Sequence, residues 1–325
     1  MTYQSPDLTT APRLENDVYE FYREVHFSKP AEGVKYEEHL KQIVNKWESV
    51  FLAYINDWNF LLQLRLRNYE FSFWLNCFHK AYLHTLVQAK LSDVFFQPSR
   101  SHNEQWLIQN ILRILRNLFE TTGFHEHMNQ QNERYEKRID AIREAYCATS
   151  ELSVGAMDLK FYLSYLEGSE QIYNIDEVMK AFRAFEKRLK QQLWYGSQVM
   201  FTFYHVVRNI RTNRYMIRFY MTIHKTFYSE QINYTALIAQ LWSEETARLG
   251  ILLDTFQLED HGKSEFIIND VSNDEIFNWV EPNDPLENLD HLPRAVTSTS
   301  KQMDKLCVYP VGFKAFHGKK GTFFN

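Results

Sequence analysis

The chain has 325 residues, 45% of them apolar and 24% charged, with a formal net charge of -5. That length allows one large domain or two packed ones, and that apolar content excludes an intrinsically disordered chain. Only 10 Gly and 8 Pro stand against 25 Phe and 19 Tyr, too few turn formers for a many-stranded sandwich or barrel, so an α+β fold of helices with a modest antiparallel sheet is predicted.

Residues 1–35 mix Pro, Ser, Thr and charge without a sustained period and read as a partly ordered arm. From Tyr36 the text changes: Ile43, Trp47, Val50, Phe51, Tyr54, Trp58, Leu61, Leu62 and Leu66 recur at helical spacing, and a second apolar helix follows through Phe71, Trp74, Leu75, Phe78 and Leu83. Gln97, Pro98 and Ser99 interrupt the pattern. Ser101 and Glu104 then have the spacing of a capping box before a helix through Leu115 and Leu118, which Gly123 is read to end. These segments make a helical domain over 36–131.

Over 132–325 the period shifts. NERYEKRIDAIREAY reads as a solvated helix, VGAMDLKFYLSYL as extended, IDEVMKAFRAFEKRLKQQL as an amphipathic helix, VMFTFYHVVRN and RYMIRFYMTIH as strands of an antiparallel hairpin, and YTALIAQLWSEETARL as a further helix. The result is an α+β layer.

Charge is segregated along this half. Residues 178–225 hold ten Lys and Arg against Glu186 alone, and residues 251–290 hold eleven Asp and Glu against Lys263 alone. A chain arranged in this way can present a positive face to a polyanion, since attraction to phosphate depends on the local field. Arg183, Lys187 and Lys190 recur at helical spacing as one ridge beside Arg188, while Arg208, Arg211, Arg214 and Arg218 belong to the hairpin. Together they suit contact with phosphates more than the reading of bases. The competing reading scatters these charges over solvated faces that bind nothing.

No GxxxxGK[ST], GxGxxG, HExxH or GxSxG occurs, which removes local support for nucleotide hydrolysis, dinucleotide, zincin and α/β-hydrolase chemistry. His125 and His127, two apart, diverge by about 200 degrees on a helix and so read as a solvated helix end. Cys77, Cys147 and Cys307 are odd in number and widely spaced, against both a disulfide framework and a thiolate metal site, and in keeping with a reducing cytoplasm. The opening MTYQSPDLTTAPRLENDVYE has neither the basic start nor the apolar core of a secretory signal, and no membrane role is expected.

One run of weak signatures keeps a fixed order: the charged helix NERYEKRIDAIREAY, the Asp158-Leu159 pair in VGAMDLKFYL, the basic helix VMKAFRAFEKRLK, the strand VMFTFYHVVRN, a second strand, and IAQLWSEE with Trp242. In that order and texture residues 132–320 resemble the inovirus-type replication proteins (the YagK/YfjJ C-terminal domain type), a divergent branch of the HUH rolling-circle replication initiators. The resemblance covers about half the chain. It implies a phage or mobile-element protein that binds single-stranded or hairpin DNA and cuts one strand with a tyrosine nucleophile. In that family a divalent ion, Mg or Mn, sits on a His-x-His pair and polarises the phosphoryl oxygen.

This sequence departs from that pattern at the decisive place. The His-x-His positions fall on Tyr215 and Ile217, and the polar ligand position falls near His205. The family's tyrosine is expected in TSTSKQMDKL, which contains Lys301 but no tyrosine; Tyr309 follows eight residues later. The tail GFKAFHGKKG, with Lys314, His317, Lys319 and Lys320, is similar to the family's basic, glycine-bearing end.

Three functions follow. The first is a DNA-binding relative of the initiators with an eroded nicking site. The second is an active nickase with displaced groups, His205, His224 and Asp158 holding the metal and Tyr215, Tyr220 or Tyr309 attacking. The third is a helical interaction module, self-associating or binding a protein through aromatic anchors such as Trp47, Trp58, Trp74 and Trp106.

Overall fold

The computed structural model of the chain describes residues 6–63, 68–91, 96–150, 156–165, 175–209, 214–224, 231–254, 277–280, 303–314 and 316–320. The elements begin with α1 (Pro6–Phe27), α2 (Tyr36–Leu52), α3 (Ile55–Leu62), β1 (Tyr69–Phe71), α4 (Phe73–Gln88), α5 (Glu104–Phe119) and α6 (Thr122–Ser150). There follow β2 (Ala156–Tyr165), α7 (Ile175–Lys190), α8 (Tyr195–Gln198), β3 (Val199–Asn209), β4 (Arg214–His224), α9 (Tyr234–Glu245) and β5 (Gly250–Asp254). The chain continues with β6 (Phe277–Val280), β7 (Met303–Lys305), β8 (Val308–Pro310) and β9 (Phe316–Lys320). The fold is α+β, with helices first and antiparallel sheets after.

Two compact units divide the chain: Gln4–Arg134 with Cys307–Phe313, and Tyr135–Leu306 with Lys314–Asn325. In the first, α1 replaces the arm expected over residues 1–35. Leu8, Ala11, Leu14, Val18, Phe21 and Val25 recur every three or four residues and are all buried, a stripe that outweighs Pro12 within the helix. The single helix expected through Leu66 breaks at Ala53 and Tyr54 into α2 and α3. The cap of α5 is Asn103, whose side chain accepts from Trp106 N at 2.8 Å, not the expected Ser101. Gly123 lies inside α6 rather than ending α5.

The core of this unit is aromatic. Trp58 packs edge-on against Phe78 and Tyr82, and the Tyr82 hydroxyl both donates to Asn59 (2.9 Å) and accepts from Phe96 N (2.7 Å), so its polar end is satisfied while its ring is buried. Trp47 is buried too, whereas Trp74 and Trp106 are half-buried and pack against the same core, so all four expected anchors serve packing. Cys307 and Val308 join this core, because β8 pairs antiparallel with β1 in the register Phe71 to Val308.

The second unit is built on one antiparallel sheet in the order β5-β2-β4-β3-β7, with β6 also on β2 and β9 also on β3. The expected hairpin is present as β3 and β4, in register from Phe201 opposite Thr222 to Asn209 opposite Arg214. Taking β2, α7, β3, β4, α9 and β5 in turn, the spatial order is fourth, first, third, second strand, the split βαβ arrangement. Phe182 and Phe185 of α7 pack on Tyr204 and Phe219, which marks the helix-covered face of the sheet. By alternation Val206 and Arg208 of β3 and Tyr215, Ile217 and Met221 of β4 share that face. On the other face Tyr162, Val207, Met216 and Leu253 form a small buried cluster, and Gly318 of β9 lies under Ile142 of α6. A Cβ there would stand 3.0 Å from Phe201 and 3.1 Å from Ile142, so any larger residue would press on both side chains.

Candidate nucleic-acid interface

The basic ridge stands on α7. Ile175, Val178, Met179, Phe182, Phe185 and Leu189 are its buried stripe, which turns Lys180, Arg183, Lys187 and Lys190 outward at intervals of three, four and three. Each of the four is exposed. From Lys180 to Lys190 the row is about 15 Å long, and Asp176 and Glu177 in the first turn with the cations of the last complement the helix dipole.

Arg188 belongs to the same helix but not to the ridge. Its guanidinium donates from Nη1 to Glu245 at 2.9 Å and from Nη2 to Glu244 at 2.5 Å, tying α7 to α9. These two carboxylates hold its charge and raise its pKa above the ordinary value.

The basic tail lies against the same helix. As β9, its residues pair with β3, Tyr204 opposite His317 and Thr202 opposite Lys319, which brings both onto the face covered by α7. There Lys319 Nζ lies 3.3 Å from Glu186 Oε1, and Lys190 Nζ lies 3.6 Å from that same oxygen. Burial, then Lys190, pushes the Lys319 ammonium below its ordinary range, with Glu186 opposing. Burial, then Lys314 and Lys319, holds His317 below its usual 6.5. Tyr204, in edge contact with Phe182 and 6.1 Å from His317, is pushed up to about 12 by burial and by Glu186, so its phenol stays neutral. Lys314 is exposed. Lys190 and Lys319 thus share the Glu186 carboxylate, while Lys180, Arg183 and Lys187 of α7 and Lys314 just before β9 are exposed.

The hairpin arginines do not join them. Arg208 and Arg218 are both buried and lie on opposite faces of the sheet, since Arg208 opposes Tyr215 and Arg218 opposes His205. Arg218 Nε donates to the Tyr162 hydroxyl at 2.6 Å. Arg214 is half-buried and reaches the Tyr165 carbonyl at 3.4 Å. The side chain of Lys320 and all of Arg211 lie outside the described residues, as does most of the acidic segment 251–290. A single sheet-wide basic surface is therefore replaced by a ridge on α7 extended by the tail.

The nicking residues are also separated. His205 opposes Arg218, Asp158 opposes Thr222, and His224 opposes Ala156. The rows of the two histidines are six residue steps apart along β4, about 20 Å at the strand rise, too far for one cation. Among the described residues no group of three His, Cys, Asp or Glu is placed to hold a metal, and His205 and His224 are too far apart to share the Mg or Mn ion that the resemblance implies. Burial lowers the pKa of His224.

Tyr215 lies under the helices, 3% exposed, its hydroxyl buried without a hydrogen-bond partner. Tyr220 is 2% exposed. Tyr309 opposes Glu70 in the β1–β8 pair of the helical unit, not in the unit that carries the basic tail. None of the three combines an accessible hydroxyl with a neighbouring metal site. Sequence reading missed the role of Glu186 between two lysines, because no local pattern announces that β9 will lie beside α7.

Comparison with known proteins gives no match to a family model, to a curated protein or to a solved structure. Among the described residues no helix is long and apolar enough to cross a membrane.

Proposed function

We propose that this chain binds nucleic acid, single-stranded or hairpin DNA foremost, through the α7 ridge and the β9 tail, and that it does so without metal-dependent strand cleavage. The reading that carries over from the replication initiators is the binding half of their activity. The observation that supports it most is the row Lys180, Arg183, Lys187 and Lys190, four exposed cations on one helix face, with Asp176 and Glu177 confined to its first turn and Glu186 paired to Lys190 near its end. A row about 15 Å long spans roughly four phosphates at 3.4 Å per nucleotide of one strand.

Binding of this kind is electrostatic and releases counterions. Four neutralised phosphates give a plot of log affinity against log salt with a slope of about -3 for single strands. The test is titration of the full chain with a labelled hairpin and a labelled single strand over a range of salt, repeated with Arg183→Ala and Lys187→Ala. Each variant should weaken binding uniformly across sequences and reduce the slope by roughly one unit. Absence of binding at low salt, or binding indifferent to salt, sinks the proposal.

A further inference from the structure

Lys190 and Lys319 share a single oxygen. Both ammonium groups are directed at Glu186 Oε1, at 3.6 and 3.3 Å, which holds them beside each other. Two cations in mutual contact with one carboxylate leave one positive charge uncompensated, and Lys314 adds a further one beside His317. Lys319 is less exposed than an ordinary surface lysine. Its backbone is fixed by pairing opposite Thr202, and its side chain, 32% exposed, runs into the notch between α7 and β9.

What such a notch lacks is a compact anion of more than one charge. A backbone phosphodiester carries a single charge and is flanked by sugars on both sides, which suits the exposed ridge more than the partly buried Lys319 and His317. A terminal phosphomonoester carries nearly two charges near neutral pH and three free oxygens, enough to bridge both ammonium groups at once. We propose that the notch formed by Lys190, Lys319 and His317 seats a phosphomonoester, with Glu186 standing in its place when the seat is empty. Such a group comes either from a nucleic-acid end or from a free mononucleotide. In the first case the ridge holds the strand and the notch holds its phosphorylated terminus, which deepens the nucleic-acid reading and rests on it.

Glu186 is then an internal competitor. An incoming phosphate must displace its carboxylate from the two lysines, so Glu186→Gln should strengthen phosphate binding even though it removes an ion pair from the folded protein. A purely structural Lys319–Glu186 contact predicts no change in ligand preference on that substitution.

The experiment compares one short oligonucleotide in 5′-phosphorylated and 5′-hydroxyl forms, with a nucleoside 5′-monophosphate as a third probe, against the full chain at low salt. The phosphorylated form should bind about tenfold more tightly, the worth of one added charge-assisted contact. Lys319→Met should abolish that preference, so that the two ends bind alike, and Glu186→Gln should enlarge it. Lys190→Ala, at an exposed position, gives the same loss of preference should Lys319→Met disturb folding. Equal affinity for both ends overturns the seat and leaves the backbone reading standing. If neither oligonucleotide binds, the nucleic-acid reading falls, and the mononucleotide decides the seat: binding that depends on Lys319 supports it and no binding overturns it.

Discussion

Arg188 donates to Glu244 and Glu245 of α9 at 2.5 and 2.9 Å, while Lys187, one residue earlier, turns to solvent. Neighbours in sequence with the same charge therefore have different work, one joining two helices and the other available to a ligand.

That division gives a paired prediction. Lys187→Ala should lower affinity for DNA and leave the unfolding midpoint where it is. Arg188→Ala should do the reverse, with only a small loss of stability because its ion pairs are solvent-exposed and screened. Binding isotherms and urea unfolding of the two variants check it; equal loss of affinity in both would place Arg188 back on the binding ridge.

Tyr215 offers a test of the nicking alternative. Its hydroxyl is buried without a partner, so Tyr215→Phe removes an unsatisfied group and should leave stability unchanged or raise it by about 1 kcal/mol. Incubated with a labelled hairpin and manganese, neither the parent protein nor this variant should form a covalent adduct. An adduct in the parent that the variant loses would restore Tyr215 as nucleophile.

Gly250 opens β5 against the fixed indole of Trp242, whose Nε1 donates to the Ser164 carbonyl at 2.8 Å. A Cβ at Gly250 would stand 2.6 Å from Trp242 Cδ1 and closer still to Thr246 Oγ1. Trp242 is fully buried and cannot yield without losing that bond. Gly250→Ala should cost about 2 to 3 kcal/mol in denaturant unfolding, the range of an overpacked core.

His26 is held below its usual 6.5 by burial and by His125 nearby, with Glu120 opposing. The unfolded chain therefore binds a proton at a pH where the folded protein resists it, and stability falls as pH drops through the range below 6.5. Above that range the effect is absent. His26→Gln should flatten this part of the stability profile, as measured by urea midpoints at successive pH values; an unaltered profile would assign the acid sensitivity elsewhere, with His317 and His224 the next candidates.

The sheet unit was readable where a segment carries its own period. Alternating bulky residues in VMFTFYHVVRN and RYMIRFYMTIH predict the hairpin, and the stripe from Ile175 to Leu189 predicts α7 with its outward cations. What failed were relations between distant segments. Arg208 and Arg218 share a charge and a hairpin, yet the register sends them to opposite faces. Metal ligands chosen by residue type, His205 of β3 and His224 of β4, end six rows apart in the ladder, about 20 Å, a separation visible only once pairing is known. α1 was lost for a different reason: Pro12 and the Thr pair before it read as breakers, while its buried stripe begins only at Leu8.

The excursion of Cys307–Phe313 bears on how the nascent chain matures. The helical unit leaves the ribosome early, but β1 must wait for β8, and β2 through β7 are translated in between. Until then the edge at Phe71 is open and the Ser72 amide lacks the Cys307 carbonyl it meets at 2.8 Å. Neither unit can finish before the other's strands have been synthesised, so vectorial, one-at-a-time folding is denied to this protein, and a fragment ending at Arg134 would be expected to aggregate through that unguarded edge.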